Sequence, residues 1–249
     1  MLSSLTNLLG SLKELCFPPV CLTCSASLDH IQEIHLCPSC LGQLNRLPSA
    51  LCSCCGIPFP YGAGGDHLCG ICLKSGFHFD KARAILGYNE YAGKLVHGLK
   101  YGGRTAAFST FSGLWQQKKE RAGLCVPDMI IPVPLHRKRL QERGFNQALL
   151  LAQVFFPGSK EKIEALLLTR IRRTVPQTGL NGKERRRNLK GAFQVTAPEQ
   201  LQGKAVILVD DVFTTGATVN ECARVLKGAG AAQVEILTLA RVTGDKFSL

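Results

Sequence analysis

The pattern of apolar and polar positions changes character near residue 79. Before it, apolar runs are short and broken by turn formers, as in "CPSC", "CCGIPFP" and "CGIC". After it, the pattern becomes periodic. "KARAILGYN" reads as a strand, and "YAGKLVHGLKYGG" sets Tyr91, Leu95 and Leu99 at helical spacing before a glycine pair. "RTAAFSTFSGLWQQKKE" reads as a helix, "PDMIIPVPL" as a short strand closed by prolines, "GFNQALLLAQVFF" as a helix and "IEALLLTRIRR" as a strand. "KAVILVDD", "GATVNECARVLKGAG" and "AQVEILTLARV" then give strand, helix and strand. Such alternation predicts an α/β fold, a parallel sheet flanked by helices. It would occupy residues 79–249, with a small module over residues 1–78. A length of 249 residues suffices for one sizeable core plus such a module. The join "KSGFHFDKA" is short, so the module is expected to pack against the larger part.

The module is poor in core residues and rich in cysteine. Ten of the twelve cysteines fall within the first 72 residues. Eight form CxxC pairs: Cys21/Cys24, Cys37/Cys40, Cys52/Cys55 and Cys69/Cys72. Each pair can place two thiolates on one ion at about 2.3 Å, and two pairs complete a tetrahedron. A segment with so little apolar material needs a staple. The N-terminus has no basic n-region and no continuous apolar stretch, so no signal peptide is read and a cytoplasmic location is expected. There, Zn²⁺ is a better staple than a disulfide. The module is therefore expected to be zinc-binding and double-zinc-ribbon-like. The spacings between pairs, twelve and thirteen residues, leave open whether sequential pairs share an ion or interleave in a cross-brace. The ion count, one or two, is open with them. Cys54 is a competitor for Cys55, while Cys125 and Cys222 read as core fillers.

Charge changes the picture further. The chain carries a net +12, but residues 1–78 are near neutral at −1 and residues 137–190 carry +10. A positive field concentrated in one stretch suits a polyanion such as pyrophosphate, a nucleotide or a nucleic acid. No apolar run approaches the ~18 residues of a membrane span.

The sharpest signal is "VILVDDVFTTGATV". A continuously apolar strand is predicted to stop at Asp210 and Asp211, at the carboxyl edge where open α/β sheets bind ligands. Thr214, Thr215, Gly216, Ala217 and Thr218 then open a helix. Backbone N–H groups, hydroxyls and the positive end of the helix dipole suit a phosphate there, and glycine allows close approach. The carboxylates suit vicinal sugar hydroxyls. Phosphate and diol in one loop describe a ribose 5-phosphate. A helix cap would need only one side-chain oxygen.

This stretch resembles the phosphoribosyl-pyrophosphate signature of type I phosphoribosyltransferases. With the CxxC module, "LKYGGR", "PVPLHRKRLQERGFNQ" and "TVPQTGLNGKERRRNLKGAF", the chain resembles the ComF family over nearly its whole length. The resemblance implies that Asp210 and Asp211 are catalytic and hold the ribose hydroxyls. It implies that residues 214–218 hold the 5-phosphate. Arg137, Lys138 and Arg139 would face the pyrophosphate with Mg²⁺, and Lys100 and Tyr101 the acceptor. A mobile loop bearing Gln177, Arg185, Arg187 and Asn188 would cover the site. Arg143 and Asn146 either brace the pyrophosphate loop or cap the next helix; no general base is identifiable, and His97 and His136 are the nearby candidates. The implied function is phosphoribosyl-pyrophosphate binding within DNA uptake and natural competence, with single-stranded DNA and a helicase-like partner. Three readings follow: a phosphoribosyltransferase with a nitrogenous acceptor, a nucleic-acid-binding protein, and a sensor of phosphoribosyl pyrophosphate without turnover.

Overall fold

The computed structural model describes residues 19–29, 33–59, 67–101, 105–172 and 182–244. Among them the elements run α1 (Pro38–Gly42), β1 (Asn45–Arg46), α2 (Gly70–Ser75), β2 (Lys81–Gly87), α3 (Glu90–Tyr101), α4 (Thr105–Gln116), α5 (Lys119–Ala122), β3 (Met129–Pro132), α6 (Arg137–Arg143) and α7 (Gln147–Phe155). There follow β4 (Leu168–Arg170), α8 (Gly182–Leu189), β5 (Phe193–Val195), β6 (Ala205–Phe213), α9 (Ala217–Gly228) and β7 (Gln233–Arg241). The main sheet has the order β1-β2-β7-β6-β3. The pairs β2/β7, β7/β6 and β6/β3 are parallel, and the two-residue β1 adds an antiparallel edge. This is the expected α/β fold.

Continuous apolar strands feed both faces because successive side chains alternate. Ile207, Val209, Leu237 and Leu239 face α3, α4 and α7 through Leu95, Phe111 and Leu151. Val206, Leu208, Val234 and Ile236 face α9 through Val219, Cys222 and Leu226. The first face is tied further by Trp115 on α4, whose indole N–H donates to the Phe155 carbonyl at 2.9 Å. Cys222 is a buried core filler, as expected. Cys125 is only partly buried, and its backbone N–H donates to Glu235 Oε2 at 2.7 Å.

The cysteine module straddles the sheet. Its first half packs on one face, with Leu28, Leu36 and Leu44 joining Leu95 and Phe111. The His35 N–H donates to Thr110 Oγ1 of α4 at 2.9 Å. Its second half packs on the opposite face, with Ile57, Ile71 and Phe77 against Phe79 and Phe213. The Ala82 N–H of β2 donates to the Cys54 carbonyl at 2.7 Å. Between the halves, β1 pairs along the edge of β2, Asn45 opposite Gly87.

Two expectations are corrected. The segment 163–173 is not a strand of the parallel sheet. Ile163 makes a single bridge to Ile130, whose carbonyl accepts the Glu164 N–H at 2.9 Å. Leu168–Arg170 instead forms a separate antiparallel pair with Phe193–Val195, whose apolar residues cover the α9 face. The signature strand does not stop at its acids either, but runs on to Phe213 because β7 continues to pair with it. Among the described residues, no helix is long and apolar enough to cross a membrane.

Candidate functional site

The last β3/β6 pair joins Pro132 to Val209. The Val133 N–H still donates to the Val209 carbonyl at 2.9 Å, and the chain then leaves. Asp210 and Asp211 therefore project beyond their neighbour on one side, while β7 still supports the other. Both are half-buried. Asp210 Oδ1 accepts the Asp211 N–H at 2.9 Å, and Asp211 Oδ1 accepts the Val212 N–H at 2.7 Å. These bonds fix each carboxylate at the carboxyl edge of the sheet.

Helix α9 begins four residues past β6. Gly216 is its N-cap, at φ 77°, and no side chain caps the helix there. Thr215 is buried, with its Oγ1 3.4 Å from the Ala217 N–H. Thr214 and Thr218 are half-buried. Gly216 is required twice over: its φ favours glycine, and a Cβ would lie 2.6 Å from Phe213 Cζ. A glycine-capped helix start beside two fixed carboxylates joins an anion site to a hydroxyl site.

The segment after β3 is shorter than the sequence suggested. His136 caps α6 through Nδ1, which accepts the Lys138 N–H at 3.3 Å. Arg137, Lys138 and Arg139 accordingly form the first turn of that helix, all exposed, rather than a loop. Asn146 takes the capping role. Its Nδ2 donates to the Val133 carbonyl at 3.1 Å, bracing the end of β3, and its Oδ1 caps α7 by accepting the Ala148 N–H at 3.0 Å. Arg143 donates to Gln147 Oε1 at 2.7 Å. His97 is exposed on α3. The side chains of Lys100, Tyr101 and Arg185, and the whole of Gln177, lie outside the described residues. Arg187 is exposed and Asn188 half-buried on α8.

One residue escaped the sequence reading. Arg170 ends β4, with its guanidinium 5.5 Å from the Phe193 ring centroid. Burial pulls it below the usual arginine range, and the charges of Cys222, Arg139, Asp210 and Arg172 all act on it. It ends the antiparallel β4/β5 pair that covers the α9 face. The signal was the "TRIRR" alternation, where Arg170 and Arg172 share one face of a strand end. Arg172 turns back to donate to the Asn188 and Lys190 carbonyls at 2.9 and 2.8 Å, holding the end of α8.

The eight paired cysteines gather into two groups, Cys21/Cys24/Cys37/Cys40 and Cys52/Cys55/Cys69/Cys72, each with sulfurs within 4.8 Å of one another. Sequential pairs therefore share a centre, which resolves the pairing as two ribbons. The nearest sulfurs lie 3.8 Å apart for Cys24–Cys37 and 3.7 Å for Cys52–Cys72 and Cys55–Cys69. A tetrahedron with Zn–S bonds of about 2.3 Å has S···S edges of about 3.8 Å, so the clusters fit zinc. The protonation pattern agrees. Burial pushes the Cys21 thiol up, but N–H groups of Cys37, Cys24 and Thr23 outweigh it and draw it down to about 6. Burial and neighbouring sulfurs push Cys40 the other way. Four sulfurs this close cannot all ionise without a cation among them. Cys54 stays out of the second group, its Sγ turned 4.0 Å from the Phe79 carbonyl.

A mostly parallel sheet with two acids and a glycine-capped helix at its edge, flanked by two four-cysteine centres, defines a phosphoribosyltransferase-type domain carrying a double zinc ribbon. Family models agree: "Phosphoribosyl transferase domain" matches residues 143–247 and "Double zinc ribbon domain" residues 12–73. The chain is 35% identical over 229 residues to "DNA utilization protein YhgH" of Escherichia coli O157:H7, covering 90% of this chain and 97% of that one. It is 35% identical to "Competence protein F" of Haemophilus influenzae, covering 89% and 96%. It is 27% identical to "Competence protein ComFC" of Bacillus subtilis, covering 83% and 84%. The chain belongs to the ComF family.

Proposed function

We propose that the chain binds phosphoribosyl pyrophosphate with Mg²⁺ at the β6–α9 loop, and that it serves DNA uptake and competence by handling single-stranded DNA. The observation that carries the ligand is the loop itself: two fixed, half-buried carboxylates at the sheet edge beside a helix start whose N-cap is a glycine at positive φ. Asp210 and Asp211 accept from the ribose 2- and 3-hydroxyls, and residues 214–218 take the 5-phosphate. Arg137, Lys138, Arg139 and Arg170 supply positive charge on the pyrophosphate side, with Lys100, Arg185 and Arg187 contributing from α3 and α8. Carboxylate oxygens and hydroxyls are hard donors that suit Mg²⁺, which when bound offsets charge on the pyrophosphate. Loosening of the C1–pyrophosphate bond leaves an oxocarbenium-like carbon, and the basic side chains stabilise the departing anion. A nitrogen nucleophile attacks C1. Residues 1–78 form the zinc-binding part and residues 79–249 the phosphoribosyl part.

The names of the relatives, "DNA utilization protein" and "Competence protein", support the DNA role. So do the exposed cations at the start of α6 and on α8, within the stretch of +10. They favour the second reading, a nucleic-acid-binding or ligand-sensing module without turnover, to the same extent. Calorimetry with phosphoribosyl pyrophosphate and Mg²⁺, then a pyrophosphate-release assay over nitrogenous acceptors, separates the two. Binding with release marks a transferase, and binding alone a sensor. Asp210→Asn with Asp211→Asn should abolish that binding and leave DNA affinity nearly intact, since removing negative charge does not weaken a phosphate contact. Retained binding in the double variant overturns the assignment of the loop.

A further inference from the structure

The second cysteine centre is joined to the floor of the β6–α9 loop by a short path of buried contacts. Arg241, the last residue of β7, is 1% exposed. Its Nη1 donates to the Cys55 carbonyl, and its Nη2 lies 3.6 Å from Cys55 Sγ. Its guanidinium sits 4.3 Å from the centroid of Phe213, the residue opposite it in the β6/β7 register. Phe213 in turn lies directly beneath Gly216, the N-cap of α9. Phe77 and Phe79, which follow Cys72 in the chain, close the ring's flanks edge-on at 6.4 and 6.0 Å.

Charge explains why this path should transmit. A guanidinium sealed from water needs a counter-charge. The sulfurs of Cys55, Cys69 and Cys52 are among the negative groups acting on Arg241. Four thiolates around one Zn²⁺ carry a net −2, a fixed anion that Arg241 meets as an outer-shell donor. Without the metal the sulfurs take up protons and that fixed anion is lost. The guanidinium then loses this counter-charge, and its hold on the Phe213 ring beneath Gly216 weakens.

We propose that Arg241 is a positioning residue through which zinc in the second ribbon sets the shape of the 214–218 loop, so that this ribbon controls ligand binding as well as folding. The ligand part of the proposal rests on the phosphoribosyl reading above, while the coupling itself does not. The first centre serves as the internal comparison. It lies on the opposite face, and no described contact runs from it to the loop.

The test uses the full chain and three readouts: zinc per chain, hydrogen exchange at residues 214–218, and affinity for phosphoribosyl pyrophosphate with Mg²⁺. Cys69→Ser should lose one zinc, raise exchange at 214–218 and weaken binding by about tenfold or more. Cys24→Ser should also lose one zinc yet leave exchange at 214–218 at the wild-type level. Arg241→Lys keeps all eight thiolates and carries the test if Cys69→Ser does not fold. It should hold two zincs and still show the raised exchange. Unchanged exchange at 214–218 in Arg241→Lys overturns the proposal, as does an equal rise in Cys24→Ser. If the wild type binds no phosphoribosyl pyrophosphate but exchange still follows the second centre, the ligand reading fails and the coupling stands.

Discussion

Replacing Gly216 by alanine tests the loop geometry most directly. An L-residue in the left-handed region costs about 1–2 kcal/mol. Its Cβ would also stand 2.6 Å from Phe213 Cζ. That ring has nowhere cheap to go, with Arg241 at 4.3 Å and Phe77 and Phe79 on its flanks. Forcing it aside forfeits much of a desolvated cation–π contact, about 0.5–2 kcal/mol. Together the loss is about 1.5–4 kcal/mol, or roughly 3–16 °C in Tm for a chain of this size. At the other end of the same helix, Gly228 has no atom within 4 Å of a built Cβ and no positive φ. Gly228→Ala should therefore stabilise by about 0.5–1 kcal/mol. Urea unfolding of the zinc-loaded chain measures both, and calorimetry should show the affinity of Gly216→Ala for phosphoribosyl pyrophosphate reduced. A Gly216→Ala protein as stable as wild type would refute the reasoning, since neither the strain nor the contact under the loop would then be real.

Three further outcomes are expected. Atomic absorption should give two zinc ions per chain. Burial, with Arg83 nearby, pushes the Lys118 ammonium down to about 8. Between pH 8 and its unfolded value of about 10.4 the unfolded chain binds more protons, so this group's penalty is full below that window and fades as pH rises through it. Lys118→Met should thus be more stable than wild type at pH 7, with a gap that narrows by pH 10 in paired denaturation curves. Replacing Arg185, Arg186 and Arg187 by glutamine should flatten the salt dependence of single-stranded DNA binding by up to about 2 in log–log slope. An unchanged slope would place the DNA surface elsewhere.

The parts of the site legible in the sequence are those where chemistry is local. Asp210 through Thr218 form one continuous stretch, so strand, acids and helix start could be read in order. The cysteine pairs were legible as metal ligands because each CxxC carries its own geometry. Their partition was not, since gaps of twelve and thirteen residues allow either pairing and the path of the chain decides. Arg241 could not be seen at all. It reads as a charged residue ending a strand, and its partner Cys55 lies 186 positions away. Arg170 hid for a related reason: it ends a separate antiparallel strand pair that sequence periodicity assigned to the main sheet.

The two residues of β1 matter more than their length suggests. A sheet edge left bare is a template for pairing with another chain, and here a short strand from the cysteine module occupies the outer side of β2. Because the halves of the module lie on opposite faces, a chain begun at residue 79 would lose the covers of both faces and this guard together. Such a fragment should self-associate through β2, which size-exclusion chromatography of residues 79–249 beside the full chain would show.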